Sequence, residues 1–257
     1  MIPLKIWLEK YRKISNIMGY EVSQDRIATR KFAEILKTAH IKPPLNELQR
    51  LLSNRPAIIF GAGPSLDDSL DDLLRIFPEI SERFTLIAAD GATQALIERG
   101  KVPHIIVTDL DGDISSLLYS AKRNSILAIH AHGDNMEKIS RYVKEIISAT
   151  KRIVGTTQVE PVPPIRNFGG FTDGDRAVFI AYNYKANPII LVGMDFGKIV
   201  GKRSKPWLTH DVSAWDDKLK KLEIAYRLIS WLATNFNLKI YTLSENAPPG
   251  TEKICLE

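Results

Sequence analysis

Beyond residue 54 the chain alternates short, unbroken apolar runs with longer stretches whose apolar residues recur every three or four positions. Runs at 57–60, 86–89, 104–108, 126–130, 152–155, 188–193 and 239–243 have the length and composition of strands covered on both faces. Between them the spacing predicts helices over 70–76, 92–99, 114–121, 135–148, 176–184 and 214–235, the second closed by Gly100 with Pro103 beyond. Strands alternating with helices predict an α/β fold, a mostly parallel sheet with helices on both faces. Residues 1–53 read differently. Leu4, Trp7, Leu8, Tyr11 and Ile14 recur at helical spacing, Ile27, Ile35 and Leu36 form a second stripe after Ser23 as N-cap, and Leu45, Leu48, Leu51 and Leu52 form a third beyond Pro43 and Pro44. The expected organisation is an N-terminal helical segment, 1–53, before an α/β catalytic domain, 54–257. The helical segment carries no convergent polar groups, so it packs on the main domain or on a second copy of the chain.

Composition narrows the classes. At 257 residues the chain can bury a large core, and Cys255, its only cysteine, excludes an internal disulfide. The first residues lack the apolar stretch of a secretory signal and no apolar run approaches membrane-spanning length, so the expected location is cytoplasmic, with no membrane contact. A net charge of +5 and a pI near 9.1 come from cations scattered among acids, without a basic run interleaved with aromatics, which argues against nucleic acid as partner.

The candidate chemistry lies where strands end. Two runs stop at Asp90 and at the DLDGD cluster of Asp109, Asp111 and Asp113, and a strand–helix–strand unit in a parallel sheet brings both ends to one edge. Carboxylates gathered there repel one another unless a divalent cation sits among them, and oxygen-only donors favour magnesium. Asp113 serves equally as the N-cap of the following helix. His130, His132 and Asp134 of HAHGDN end the next strand; Asp134 is a further metal ligand or a cap, and a histidine such as His132 contacts phosphate or substrate. Gly61, Gly63 and Ser65 of GAGPS stand between strand and helix, as a phosphate-holding loop or a tight turn. In NFGGFTDGD, Gly170, Thr172 and Asp173 are candidate ligand contacts, with one of Thr172, Asp173 and Asp175 capping the helix. Residues 198–210 carry Lys198, Lys202, Arg203 and Lys205; Lys202 and Arg203 are candidates to close on phosphates as part of a lid, or belong to a solvated loop.

Taken together, ADGA, VPHIIVTDLDGD, HAHGDN, GAGPSLD, NFGGFTDGD and VGMDFG resemble the thiamine pyrophosphokinase-like fold, and within it the archaeal type of 6-hydroxymethyl-7,8-dihydropterin pyrophosphokinase, over residues 55–200. The resemblance implies magnesium-dependent transfer of diphosphate from ATP, as co-substrate, to the hydroxymethyl group of a reduced pterin in folate- or methanopterin-type cofactor biosynthesis. It implies catalytic roles for Asp90, Asp109, Asp111 and Asp134 and metal binding by Asp109, Asp111, Asp113 and Asp134. Thiamine pyrophosphokinases carry DFDS where this chain has DLDG, which argues against thiamine as acceptor. The same domain family resembles sugar-nucleotide-dependent enzymes of flagellin glycosylation, a competing reading, as is a non-catalytic nucleotide-binding module.

Overall fold

The computed structural model describes residues 2–236 and 238–256. Three helices come first, α1 (Leu4–Met18), α2 (Val22–Thr38) and α3 (Leu45–Leu52). There follow β1 (Ala57–Phe60), α4 (Leu66–Ile76), α5 (Ile80–Arg83), β2 (Thr85–Ala89), α6 (Ala92–Glu98), β3 (Ile105–Thr108), α7 (Ile114–Ala121), β4 (Ile126–His130), α8 (Met136–Ala149) and β5 (Ile153–Thr156). After a long loop come α9 (Asp173–Asn183), β6 (Ile189–Val192), β7 (Ile199–Val200), β8 (Val212–Ser213), α10 (Asp216–Asn235), β9 (Ile240–Thr242) and β10 (Glu252–Lys253).

The fold is α/β. Among the described residues, eight strands form one sheet in the order β10-β9-β6-β1-β2-β3-β4-β5, and every neighbouring pair is parallel. Successive residues of each strand go to opposite faces, so unbroken apolar runs need helices on both sides. Ala57, Ile59, Ile87, Ile105 and Val107 meet α1, α9 and α10 on one face. On the other, Ile58, Phe60, Leu86 and Ala88 meet α4 and α6, while Ile106, Leu127, Ile129 and Ile153 meet α2, α7 and α8. Each fully buried apolar side chain contributes roughly 1.5–3 kcal/mol. The chain order reverses at β1: β2 to β5 run outward on one side, and β6 returns to the other. A crevice therefore opens beyond the C-terminal ends of the central strands, the place where this topology binds ligands.

The helical preface is not a separate packing unit. Trp7, Tyr11 and Ile14 of α1 and Leu48 and Leu52 of α3 belong to the same core as the sheet. Helix α2 corrects the sequence reading in two respects. It starts at Val22, so Ser23 lies inside the helix and is not its N-cap, and its buried face is Asp25, Ala28, Thr29, Phe32, Ala33 and Leu36, with Ile27 exposed. The pattern misled because the buried face includes two polar residues, Asp25 and Thr29, that are hydrogen-bonded rather than apolar. The short helix α5, the two-stranded antiparallel pair β7 and β8, and the edge strand β10 were not anticipated. No helix among the described residues is long and apolar enough to cross a membrane.

Candidate active site

One cavity runs along the C-terminal ends of β6, β1, β2, β3 and β4 and on past β5. At its centre, Asp90 follows β2, Asp109 follows β3 and Asp173 opens α9, and each offers a carboxylate oxygen within 4.8 Å of the others. Asp90 has φ 40°, a left-handed conformation that aspartate tolerates better than most residues. It is fixed there by its N–H to the Val107 carbonyl (2.8 Å) and by the Thr108 hydroxyl, which donates to Oδ1 (2.6 Å). A Cβ at position 112 would come 2.8 Å from the same carboxylate, so Gly112 of DLDG lets the backbone pass there.

The three acids do not titrate alike. Burial, then the neighbouring Asp109, pushes Asp90 up to about 7. Burial and the charges of Asp109 and Asp90 raise Asp173 well above the carboxylate range. Burial also acts against the Asp109 charge, but His132, Lys205 and Lys138 outweigh it and hold Asp109 at about 2. His132 Nε2 faces Asp109 Oδ2 at 3.6 Å, while Nδ1 accepts from the Asp134 N–H.

The other acidic candidates are engaged differently. Asp111 lines the cavity, but its carboxylate is bracketed by Lys138 on Oδ1 and Lys205 on Oδ2, so lysines rather than a bare cluster meet its charge. Asp113 is corrected to the N-cap of α7: its oxygens accept from the Ser115 and Ser116 N–H groups at 3.3 and 2.8 Å and from the Ser116 hydroxyl at 2.6 Å. Asp134 lies at the rim with 78% of its side chain exposed, and its carboxylate reaches only His132, at 4.0 Å. The acids the structure brings close enough together to hold a metal are Asp90, Asp109 and Asp173. From the sequence Asp173 is a ligand contact or a helix cap, because nothing in its local pattern says which strand ends the N-terminus of α9 will face.

The glycine motifs also resolve. Gly61, Ala62, Gly63 and Pro64 line the cavity beside Gly193 and Met194. However, the N–H groups of Gly61 and Gly63 donate to Val192 and Gly193 carbonyls at 2.8 Å, and Ser65 gives its N–H and hydroxyl to Asp195 (3.0 and 2.6 Å). Their expected role in holding phosphate by backbone N–H is therefore corrected: the glycines let two strand-end loops touch, since a Cβ at 63 would lie 2.6 Å from the Gly193 carbonyl oxygen. Gly170 has φ 88°, and a Cβ there would meet the Arg176 backbone at 2.3 Å; it closes the loop onto α9 rather than contacting a ligand. Asp175 is the structural acid of that motif, accepting from the N–H groups of Phe171 (2.6 Å) and Thr172 (2.7 Å). Thr172 is the N-cap of α9, in a capping box with Asp175, and also lines the cavity, while Asp173 joins the cluster.

The arm of residues 198–210 does reach the site, but not through the two residues expected. Arg203 pairs with Asp67 and Glu98 at 3.1 and 2.6 Å, and Lys202 with Asp67 at 3.1 Å, which ties both to α4 and α6. A Cβ at Gly91 would lie 1.9 Å from the Arg203 carbonyl oxygen, so the arm is seated closely there. Lys205 is the arm residue that faces the acids. Burial works against its charge, yet Asp111, Asp109 and Asp90 outweigh it and hold its pKa above the usual lysine value. Beside it Lys218 of α10 donates to the Ser204 hydroxyl (3.1 Å); burial, then Lys205 and Lys221, pulls it down to about 8.

Beyond β4 and β5 the wall is built partly from the N-terminal helices. Gln158 gives its amide nitrogen to the Tyr11 hydroxyl (2.9 Å) and to Asp25 (3.1 Å), and Tyr11 itself bonds Asp25. The other Asp25 oxygen accepts from the Gly133 N–H at 2.9 Å, next to His132. The Trp7 indole donates to the Gln158 carbonyl (2.9 Å). None of Tyr11, Asp25, Gln158 and Arg176 stood out in the sequence; a buried face of α2 containing an aspartate was the one signal available.

The donor chemistry of the central cluster fits a hard divalent cation such as Mg2+. It is oxygen-only, and burial and mutual repulsion push two of its three carboxyls towards the protonated form, a condition a cation relieves.

The family described as 6-hydroxymethylpterin diphosphokinase MptE-like matches residues 29–201. A protein of Pyrococcus furiosus named 6-hydroxymethyl-7,8-dihydropterin pyrophosphokinase is 42% identical over 93% of this chain and 97% of its own. Proteins of the same name from Methanocaldococcus jannaschii and Methanothermobacter thermautotrophicus are 38% and 37% identical over 93% of this chain and 99% of theirs. Among solved structures, the MAf glycosyltransferase of Magnetospirillum magneticum superposes with a TM-score of 0.52 at 14% identity, over 83% of this chain and 39% of that one, a likeness of fold alone.

Proposed function

The chain belongs to the MptE-like 6-hydroxymethylpterin diphosphokinase family, and from that premise we propose that it moves an intact diphosphate from ATP to the hydroxymethyl group of 6-hydroxymethyl-7,8-dihydropterin, releasing AMP. The product would enter folate- or methanopterin-type cofactor synthesis. In this reaction the acceptor oxygen attacks the β-phosphorus, the bond to the α-phosphate oxygen breaks, and the hydroxyl proton passes to a carboxylate of the site. Such chemistry asks for alignment and charge neutralisation more than for a protein nucleophile. Mg2+, held by Asp90, Asp109 and Asp173, would supply Lewis-acid stabilisation of the charge on the transferring group.

The residues of the chain divide the remaining work. Lys205 and Lys218 place positive charge opposite the carboxylates, where a polyphosphate lies between them. Asp111 and Lys138 hold Lys205 in position. His132 and Asp25 fix the β4 loop beside Asp109. The observation that carries the reading is the convergence of three half-buried carboxylates beside Lys205 in the cavity of an α/β sheet. Incubating the protein with ATP, magnesium and the dihydropterin should yield AMP and the pterin diphosphate; release of ADP, or none of either, contradicts the reaction. Thiamine offered in place of the pterin should stay unmodified.

A further inference from the structure

The strand order lays the cavity out as a line. Gly61 and Met194, after β1 and β6, stand on one flank of the acids, and His130 and Gln158, at and beyond the ends of β4 and β5, stand on the other. The first flank opens past Ile199 and Trp215, which are 45% and 44% exposed, so a ligand larger than the cavity can extend outward there. The second is closed: His130, Gln158 and Arg176 are 2%, 3% and 1% exposed, and the paired rings of Phe171 and Tyr20 line the same cavity. A compact ring, not a nucleotide, suits a closed flank.

Its polar atoms have an unusual balance. Burial, then Arg176 and His132, depresses the His130 pKa far below the ordinary histidine value, so the ring is neutral. Thr156 Oγ1 donates to the Ile129 carbonyl (3.3 Å), so towards His130 Nδ1, 3.2 Å away, it acts as acceptor. The proton is therefore assigned to Nδ1, which leaves Nε2 as an acceptor. Among the described residues Nε2 has no hydrogen-bond partner, and neither has the N–H at Nε of Arg176. Arg176 spends its outer nitrogens on the Gly170 and Phe171 carbonyls at 2.8 and 2.9 Å. Gln158 has committed its amide nitrogen to Tyr11 and Asp25, so its carbonyl oxygen is the part of the side chain within hydrogen-bonding reach of His130, and a ligand N–H entering there meets both acceptors. Buried polar groups left without partners cost about 1–3 kcal/mol each, and the pairing of an open acceptor on His130 with an open donor on Arg176 in one cavity wall points to a ligand.

We propose that His130, Gln158 and Arg176 form the specificity subsite for the acceptor, two acceptors and one donor reading the aminopyrimidinone edge of a pterin, whose amine, ring N–H and carbonyl present two donors and one acceptor in a row. This rests on the pterin reading given above. Adenine is a poor match, since its amine is followed by a ring acceptor. The nucleotide is thereby assigned to the open flank, with its phosphates over the acids between the two.

Steady-state kinetics with the wild type, His130→Leu and His130→Gln test the assignment, using 6-hydroxymethyl-7,8-dihydropterin and its analogue with the 2-amino group replaced by oxygen. Circular dichroism establishes that each variant folds. His130→Leu should raise the KM for the pterin at least tenfold and leave the KM for ATP within twofold, and His130→Gln, which keeps an acceptor, should recover part of the loss. Wild type should discriminate against the 2-oxo analogue at least tenfold, and a folded His130→Leu should lose most of that discrimination. A rise in the KM for ATP with none for the pterin overturns the subsite, as do unchanged constants for both. Should His130→Leu fail to fold, the wild type alone decides, because equal use of the two acceptors overturns it. A wild type that releases no AMP with the pterin at all would instead contradict the reaction itself.

Discussion

Two parts of the cavity wall are rich in charge and behave in opposite ways. The acids at the strand ends gather carboxylate oxygens within 4.8 Å of one another, and two of them are pushed far above the carboxylate range. The root of the arm is equally charged, yet Lys202 and Arg203 find Asp67 and Glu98 at 2.6–3.1 Å, and every charge is answered. Like charges gathered in a cavity against their own repulsion call for a ligand, whereas charges paired with their opposites are scaffold. Lys205, only two residues from Arg203, crosses from one class to the other because its ammonium is carried over to Asp111.

The contrast can be broken most severely at Asp109. Asp109→Asn should reduce turnover by about 100-fold or more while circular dichroism shows the fold intact, since the residue stabilises charge in the reaction and not the core. Next, Lys205→Ala should lower turnover by about tenfold or more, in keeping with loss of one preorganised cation, and the kinetics of AMP release measure it. Gly112→Ser, which restores the serine found in thiamine pyrophosphokinases, brings a side chain to within 2.8 Å of the Asp90 carboxylate and should lower turnover without bringing thiamine into use. Smallest of all, Lys202→Ala with Arg203→Ala should reduce stability by roughly 1 kcal/mol in denaturant unfolding and leave the chemical step close to that of wild type.

Acidity sharpens the same comparison. Asp90 moves from an ordinary 3.8 up to about 7 on folding, so without metal its contribution to stability is present below about pH 4 and is lost as pH rises through about 7. Metal-free protein should consequently melt higher at pH 5 than at pH 8. Added magnesium should raise the melting temperature more at pH 8, where it no longer competes with protons. An equal magnesium effect at both pH values would contradict shared occupancy of the cluster by proton and metal.

Much of the fold is legible from the run lengths alone. Strands covered on both faces must be unbroken in hydrophobicity, and those runs locate β1 to β6 to within a residue or two. Asp90 and Asp109 were legible for the same reason, as the first polar residues after such runs. What periodicity does not carry is which distant element lies over a strand end. Asp173 reaches the cluster from the start of α9, and Asp25 reaches Gly133 from α2, by packing that no local pattern encodes. Nor could the pattern separate Lys202 and Arg203 from Lys205, because the facing direction of each depends on how the arm seats against Gly91.

Asp173 is thus the residue on which the metal assignment turns. Manganese, as a paramagnetic stand-in for magnesium, can be titrated by electron paramagnetic resonance into wild type, Asp173→Asn and the Lys202→Ala, Arg203→Ala double variant, each with a non-transferable ATP analogue. The three-carboxylate site predicts an affinity at least about tenfold weaker in Asp173→Asn and unchanged in the double variant. Equal affinity in wild type and Asp173→Asn would contradict a metal held by Asp90, Asp109 and Asp173.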